Sequence, residues 1–286
     1  MTIQVNTNVQ SLNAQRLLTK NTMSLNKSLE KLSSGYRINK SSDDAAGLQI
    51  SEVLRAQIRG SQKANDNVQD GINVLNTADG ALSTVVDNLQ RMRELSVQGA
   101  NDTLGVDQRS AINLELNQLT KDIDRITKAT EFNGQKLFSS VGTYNIQVGA
   151  ESDSAVNVLN IGSASSALGT LNASSLSLAT GTGLTLAFSV NNNASALNAI
   201  SVIDTALQKV GTRRAAIGAM TNRLQSASTN LSISVENISA SESRIRNVDV
   251  AKESAEMTKN QILQQAAATI LSQANQAPNL ALNLLR

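Results

Sequence analysis

At both ends of this 286-residue chain, apolar and small residues recur in alternating steps of three and four. Near the start these are Leu18, Thr22, Leu25, Leu29 and Leu32. Near the end they are Leu263, Ala267, Ile270, Ala274, Ala277, Ala281 and Leu284. This spacing keeps side chains on one face of a helix and makes a seam for a partner helix. Pro278 falls within the second seam, where a kink or stop is expected. Residues 162–199, by contrast, are mostly Ser, Ala, Thr, Gly, Asn and Leu. Termini ordinarily fray. A chain with its clearest periodicity at its tips is expected to pair them, with each other or with other copies.

What those helices bury must be aliphatic. The aromatics are Tyr36, Phe132, Phe138, Tyr144 and Phe188, too few to supply much of a compact core. The expected fold class is therefore mainly α, an elongated antiparallel bundle or coiled coil formed by both chain ends. The sequence contains no Cys and no His. Disulfides, His- or Cys-based metal sites and the Ser-His-Asp, Cys-His and HExxH constellations are thereby excluded. A Ser-Lys pair stays formally open, but no pocket signature accompanies it. No catalytic, cofactor-binding or metal-binding residue is assigned, and the chain is not expected to be an enzyme. The net charge of +2 is scattered, without a Lys/Arg tract, so no nucleic-acid partner is expected. Nothing approaches the ~20 apolar residues of a membrane span. The segment MTIQVNTNVQSLNAQRLL lacks the charged and apolar regions of a secretory signal peptide.

Along the chain, the first helix is expected from about Val9 to Ser33, stopped at Ser34-Gly35, since glycine readily takes the left-handed conformation after a helix. Ser41 and Asp44 are spaced as a capping box for the next helix. That helix carries Leu48, Leu54, Ile58, Ala64, Val68, Ile72, Leu75, Ala78, Leu82, Val85, Leu89 and Met92. Gly60, Gly71 and Gly80 lie inside it and are read as points of close helix approach. A turn at 99–106 precedes a third helix bearing Ile112, Leu116, Leu119, Ile123 and Ile126. Phe132-Asn133-Gly134 then reads as a turn. Alternation at Tyr144, Ile146 and Val148 predicts a strand, with a partner strand at Val156/Val158 or at Leu159/Ile161. Leu176 and Leu178, with Leu184, Leu186, Phe188 and Val190, predict a second small hairpin. From Ile200 to Ile238 the helical period returns, with Arg214, Thr221 and Ser228 on its seam. These polar members suit a bundle with partly wet positions. The central stretch of small residues is expected to bury little. Replacing 165–190 by a Gly/Ser linker is accordingly expected to be tolerated.

Several words in this order resemble bacterial flagellin. They are LSSGYRIN at 32–39, DDAAGLQIS at 43–51, DGINVLNTADGAL at 70–82, LQRMRELSVQGAN at 89–101 and FNGQKLF at 132–138. The long word ESRIRNVDVAKESAEMTKNQILQQAAATILSQANQ at 242–276 and the closing NLLR at 283–286 follow. The resemblance implies a structural subunit that self-assembles into the flagellar filament for motility and is exported unfolded by the flagellar type III apparatus. It implies an inner coiled-coil domain, 1–43 plus 247–286, and a helical rod, 44–246, with a small β region at about 137–199. This chain departs from family members with large central inserts and is expected to be a short form with little or no outer domain.

The implied localisation is secreted, in the extracellular filament. The implied partners are other copies of the chain, the flagellar cap and hook-junction proteins, and an export chaperone. On this reading Leu18, Leu25, Leu29, Leu32, Leu263, Ala267, Ile270, Ala274 and Leu284 carry inner-domain assembly. The family's contact with the vertebrate Toll-like receptor for flagellin carries over to Arg91, Leu95 and Glu115. The alternative within the family is a hook–filament junction protein. Outside it, a cytosolic coiled-coil scaffold would show ordered ends in the dilute monomer and no filament.

Overall fold

The structure is a computed structural model and describes residues 7–138, 144–161, 170–180 and 185–284. The described residues are mainly helical and divide into two compact units, 1–58 with 236–286, and 59–235.

In the first unit, α1 (Val9–Ser34) begins at Asn8, whose side chain accepts from the Ser11 amide at 3.0 Å. It ends at Gly35, which is left-handed at φ 73°, with its amide on the Lys31 carbonyl at 2.9 Å. Glycine takes this conformation without a Cβ penalty. The long helix α2 (Ala45–Gly99) starts in this unit. Ser41 and Asp44 do not form the expected capping box, because residues 41–43 make a turn. Asp44 itself accepts from the Gly47 amide at 2.9 Å, and that one side chain satisfies the orphan donor. Asp43 serves the preceding linker instead. It accepts the Asn39 and Lys40 amides at 3.3 and 3.2 Å and pairs with Lys27 at 2.8 Å. The Lys27 hydrogen bond, followed by that of the Lys40 amide, holds its carboxyl down at about 2. The last helix, α6 (Val250–Leu284), opens on Asp249, which accepts the Lys252 amide at 3.1 Å. The helix runs past Pro278 rather than stopping there.

The second unit is built on the C-terminal part of α2, α3 (Val106–Ala129) and most of α5 (Asn193–Arg246). Val68, Leu75, Ala78, Leu82, Val85, Leu89 and Met92 of α2 share one core with Ile112, Leu116 and Ile123 of α3 and Ile203, Val210, Ile217 and Leu224 of α5. The polar positions foreseen on the α5 seam are satisfied. Arg214 grips Asp79 at 2.8 and 3.1 Å, Thr221 donates to the Ile217 carbonyl, and Ser228 donates to Asn65 at 2.6 Å. The helix starts two turns before Ile200, because Asn192 and Ser195 cap it reciprocally: each side chain accepts the other's amide, at 2.7 and 3.1 Å.

Short antiparallel pairs occupy the middle of the sequence. β1 (Glu131–Phe132) and β2 (Gln135–Lys136) flank Asn133-Gly134, both at positive φ, as a tight hairpin turn of the primed type requires. β3 (Asn145–Gln147) pairs with β4 (Val158–Asn160), with Ile146 opposite Leu159. A single helical turn, α4 (Ser154–Asn157), lies between them. β5 (Ala179–Thr180) pairs with β6 (Thr185–Leu186). The turn expected between them lies largely outside the described residues, and Leu176 and Leu178 precede β5 rather than forming a strand.

The expectation that the central stretch buries little is overturned. Leu171, Ala173, Leu176, Leu178, Ala179, Phe188 and Val190 all belong to the core that α2, α3 and α5 share. A backbone hydrogen bond from Leu171 to the Phe138 carbonyl ties the stretch to the preceding segment, and one from Ala187 to the Leu178 carbonyl closes the stretch on itself.

The helix glycines divide. A Cβ at Gly71 would lie 3.3 Å from Ile146 and from Leu224, a helical neighbour as expected, whereas one at Gly60 would lie 2.9 Å from Ala150 in a bend rather than a helix. Gly80 faces open space, against the expectation. The tightest case ends α2: a Cβ at Gly99 would fall on the Val190 side chain.

Candidate functional site

Two surfaces carry the residues singled out in the sequence. The first is the antiparallel pair of α1 and α6. Four polar contacts cross between the helices: Asn8 to the Ala274 carbonyl at 2.7 Å, Ser11 to Asn275 at 2.6 Å, Gln264 to Thr22 at 3.0 Å, and Lys31 to Glu253 at 3.5 Å. On α1 the seam runs through Ala14, Leu18, Thr22, Leu25, Ser28 and Leu32. On α6 it runs through Met257, Asn260, Gln264, Ala267, Leu271 and Ala274.

Leu18, Leu25, Leu32, Ala267 and Ala274 therefore lie on the seam that the pair closes. Leu29, Leu263 and Ile270 do not: they stand 47, 41 and 57 % exposed, and Ser28, Asn260 and Leu271 take the inward positions nearby. The Leu284 side chain, like those of Ala277 and Ala281, lies outside the described residues. The fully inward positions are small or polar, namely Ala14, Ser28, Asn260, Ala267 and Ala274. Helix axes approach according to the side chains between them. Small residues take the inside and large ones are left on the flanks. Leu12, Leu17, Met23, Leu29, Ile262, Leu263 and Ile270 stand exposed on the pair's outer faces.

The second surface lies on α2 and α3. Arg91 and Glu115 meet there, with Arg91 donating through Nε at 3.0 Å and Nη2 at 2.9 Å, while Nη1 reaches Glu94 at 3.3 Å. The hydrogen bond to Glu115, then that to Glu94, raises the Arg91 pKa above its ordinary value. Both members of the pair remain about half exposed. Leu95 is different: at 2 % exposure it belongs to the core of the second unit and not to the surface with this pair. Its place at the inward step of three and four after Leu89 and Met92 carried that signal in the sequence. Among the described residues no group of three or more acidic side chains is placed to hold a metal ion, and no helix is long and apolar enough to cross a membrane.

The bacterial flagellin N-terminal helical region matches residues 5–143, and the flagellin C-terminal helical region matches residues 200–285. The chain belongs to the bacterial flagellin family. A flagellin of Halalkalibacterium halodurans is 44 % identical over 99 % of this chain and 99 % of its own length. A flagellin of Bacillus subtilis is 41 % identical over 99 % of this chain and all of its own length. The flagellar filament 33 kDa core protein of Treponema phagedenis is 39 % identical over 99 % of each. Within this frame, the α1–α6 pair is formed by the outer ends of the two matched regions. The second unit, 59–235, holds the inner parts of both matches and the stretch between them.

Proposed function

We propose that this flagellin is a structural subunit of the flagellar filament, with no catalytic role, polymerising through its own chain ends. The observation that carries the reading is the uncovered apolar surface of the α1–α6 pair, on which Leu12, Met23, Leu29, Ile262, Leu263 and Ile270 face solvent in one copy. Contiguous exposed apolar surface marks an interaction site, and neighbouring copies in an open helical polymer cover it. In this reading 1–43 with 247–286 form the inner domain and 44–246 the rod. The filament is extracellular, and the chain reaches it unfolded through the type III apparatus with an export chaperone. The cap and hook-junction proteins cover its exposed apolar faces at the filament ends.

Seeded growth tests the reading. Purified chain added to short filament seeds is expected to extend them into long filaments seen by electron microscopy. Seeds that stay short would instead favour the junction-protein reading.

Recognition by the vertebrate Toll-like receptor for flagellin rests on the exposed Arg91–Glu115 pair. An Arg and a carboxylate held in one geometry offer a preorganised polar hot spot. Arg91→Ala and Glu115→Ala are each expected to weaken receptor signalling by monomer in a reporter assay, without changing its urea midpoint. Leu95→Ala is expected to do the reverse at its root. It opens a cavity in the second unit and lowers unfolding stability by ~2–5 kcal/mol, so any signalling loss follows the loss of fold. Equal signalling by Arg91→Ala and the unmodified monomer would remove the receptor from the reading.

A further inference from the structure

The inward positions of the α1–α6 seam are poor rulers. Ala14, Ser28, Asn260, Ala267 and Ala274 are small or polar, and seam residues repeat at steps of seven as Leu18, Leu25 and Leu32 on α1 and as Asn260, Ala267 and Ala274 on α6. Sliding one helix by seven residues, about 10.5 Å at 1.5 Å per residue, keeps a passable seam. Packing of this kind discriminates weakly between registers, and a few polar contacts usually decide.

A rigid marker lies at one end of the pair, where the segment after α1 meets the segment before α6. The Val248 amide donates to the Gly35 carbonyl at 3.0 Å, and the Arg37 amide donates to the Arg246 carbonyl at 2.7 Å. Tyr36 and Asn247 thereby form an isolated antiparallel bridge. Arg246 closes it. Its guanidinium carbon lies 4.8 Å from the centre of the Tyr36 ring, and Nη1 donates to Glu52 at 2.6 Å. The Arg246 side chain is only 11 % exposed, and its Nε is buried without a partner. Arg37 returns the contact by donating to the Ile245 carbonyl at 2.6 Å. Ile38 is buried at 1 % exposure just beyond the bridge. Leaving a guanidinium nitrogen unsatisfied is costly, so the rest of the contact must hold Arg246 in place.

We propose that the bridge of residues 35–37 with 246–248, locked by Arg246 on Tyr36 and Glu52, sets the register in which α1 and α6 pair. Arg246 and Tyr36 are thus positioning residues for the terminal pair. They act from outside the seam, as a pin at the end of two strips sets their alignment. Glycine is needed at 35 because the chain must turn through φ 73° to bring its carbonyl to Val248. Arginine is needed at 246 because a planar cation can stack on the ring and still donate to Glu52. The inference concerns pairing within one chain, so its failure would leave the filament reading standing.

The absence of cysteine makes thiol cross-linking a clean test. Thr22→Cys is combined in turn with Gln264→Cys, its observed partner, and with Met257→Cys or Leu271→Cys, one heptad to either side. Each pair is treated with a short methanethiosulfonate cross-linker. In the otherwise unmodified chain the Thr22/Gln264 pair is expected to react and the slipped pairs to remain open. Adding Arg246→Ala is expected to raise the ratio of slipped to in-register product about tenfold, equivalent to about 1.4 kcal/mol. Tyr36→Leu keeps the bulk, removes the ring face and should shift the ratio the same way, so the test survives if Arg246→Ala loosens the unit. Two results would overturn the proposal: a ratio unchanged in both variants, or equal reaction of all three pairs before either substitution.

Discussion

Removing residues 263–286 is expected to abolish polymerisation while leaving a soluble, helical monomer. The deletion takes Leu263 and Ile270 from the exposed apolar flank, and Gln264, Ala267, Leu271 and Ala274 from the seam. It also removes the cross-helix bonds at Thr22, Asn8 and Ser11, and leaves Lys31–Glu253. What remains of α6 is too short to cover α1, and a short helix without a packed face is marginal in water. The core of the second unit draws none of its members from this segment, so its cooperative thermal unfolding should persist. Seeded growth monitored by light scattering and electron microscopy checks the outcome. Filaments of normal length from the truncated chain would show that the C-terminal segment does not hold the polymer together.

The residue pattern foretold the helices better than it foretold their faces. α1 came within one residue at its C-terminal end, because Gly35 is a local stop that needs no tertiary information. The β3–β4 register followed one of the two pairings left open, since alternation fixes which side chains share a face. Leu29, Leu263 and Ile270 stand one position off the seam that the pair closes within one copy. The sequence reading followed the largest residues, whereas two helices close together favour small ones between them. The Ser41–Asp44 box failed for a local reason: Asp44 rather than Ser41 accepts the helix amide, at Gly47, while Asp43 turns back to the Asn39 and Lys40 amides of the linker. Leu95 was singled out as a receptor contact from a family word, although its spacing from Met92 also marked it as core. The Tyr36–Asn247 bridge left no signal in the sequence, because it joins residues far apart in the chain through backbone groups that every residue carries.

Replacing 170–190 by a Gly/Ser linker is expected to be severely destabilising, the reverse of what the composition of this stretch suggests. Leu171, Leu176, Leu178, Phe188 and Val190 are all buried against α2, α3 and α5. Truncating one buried Leu costs ~2–5 kcal/mol, and one Phe ~3–5. Several such losses together exceed the ~5–15 kcal/mol by which a domain is ordinarily stable. The replacement also leaves Gly99 without the Val190 side chain that packs on it, and frees Lys209 from the Ser175 carbonyl and the Ser177 hydroxyl. Small residues such as Ala173 and Ala179 are inside here because the surrounding helices come close. A composition rich in Ala and Ser is therefore compatible with burial as well as with a loose loop. Loss of the cooperative thermal transition, or a large fall in its midpoint by circular dichroism, is the expected result. A transition within a few degrees of the unmodified chain would mean that these side chains contribute little to the second unit.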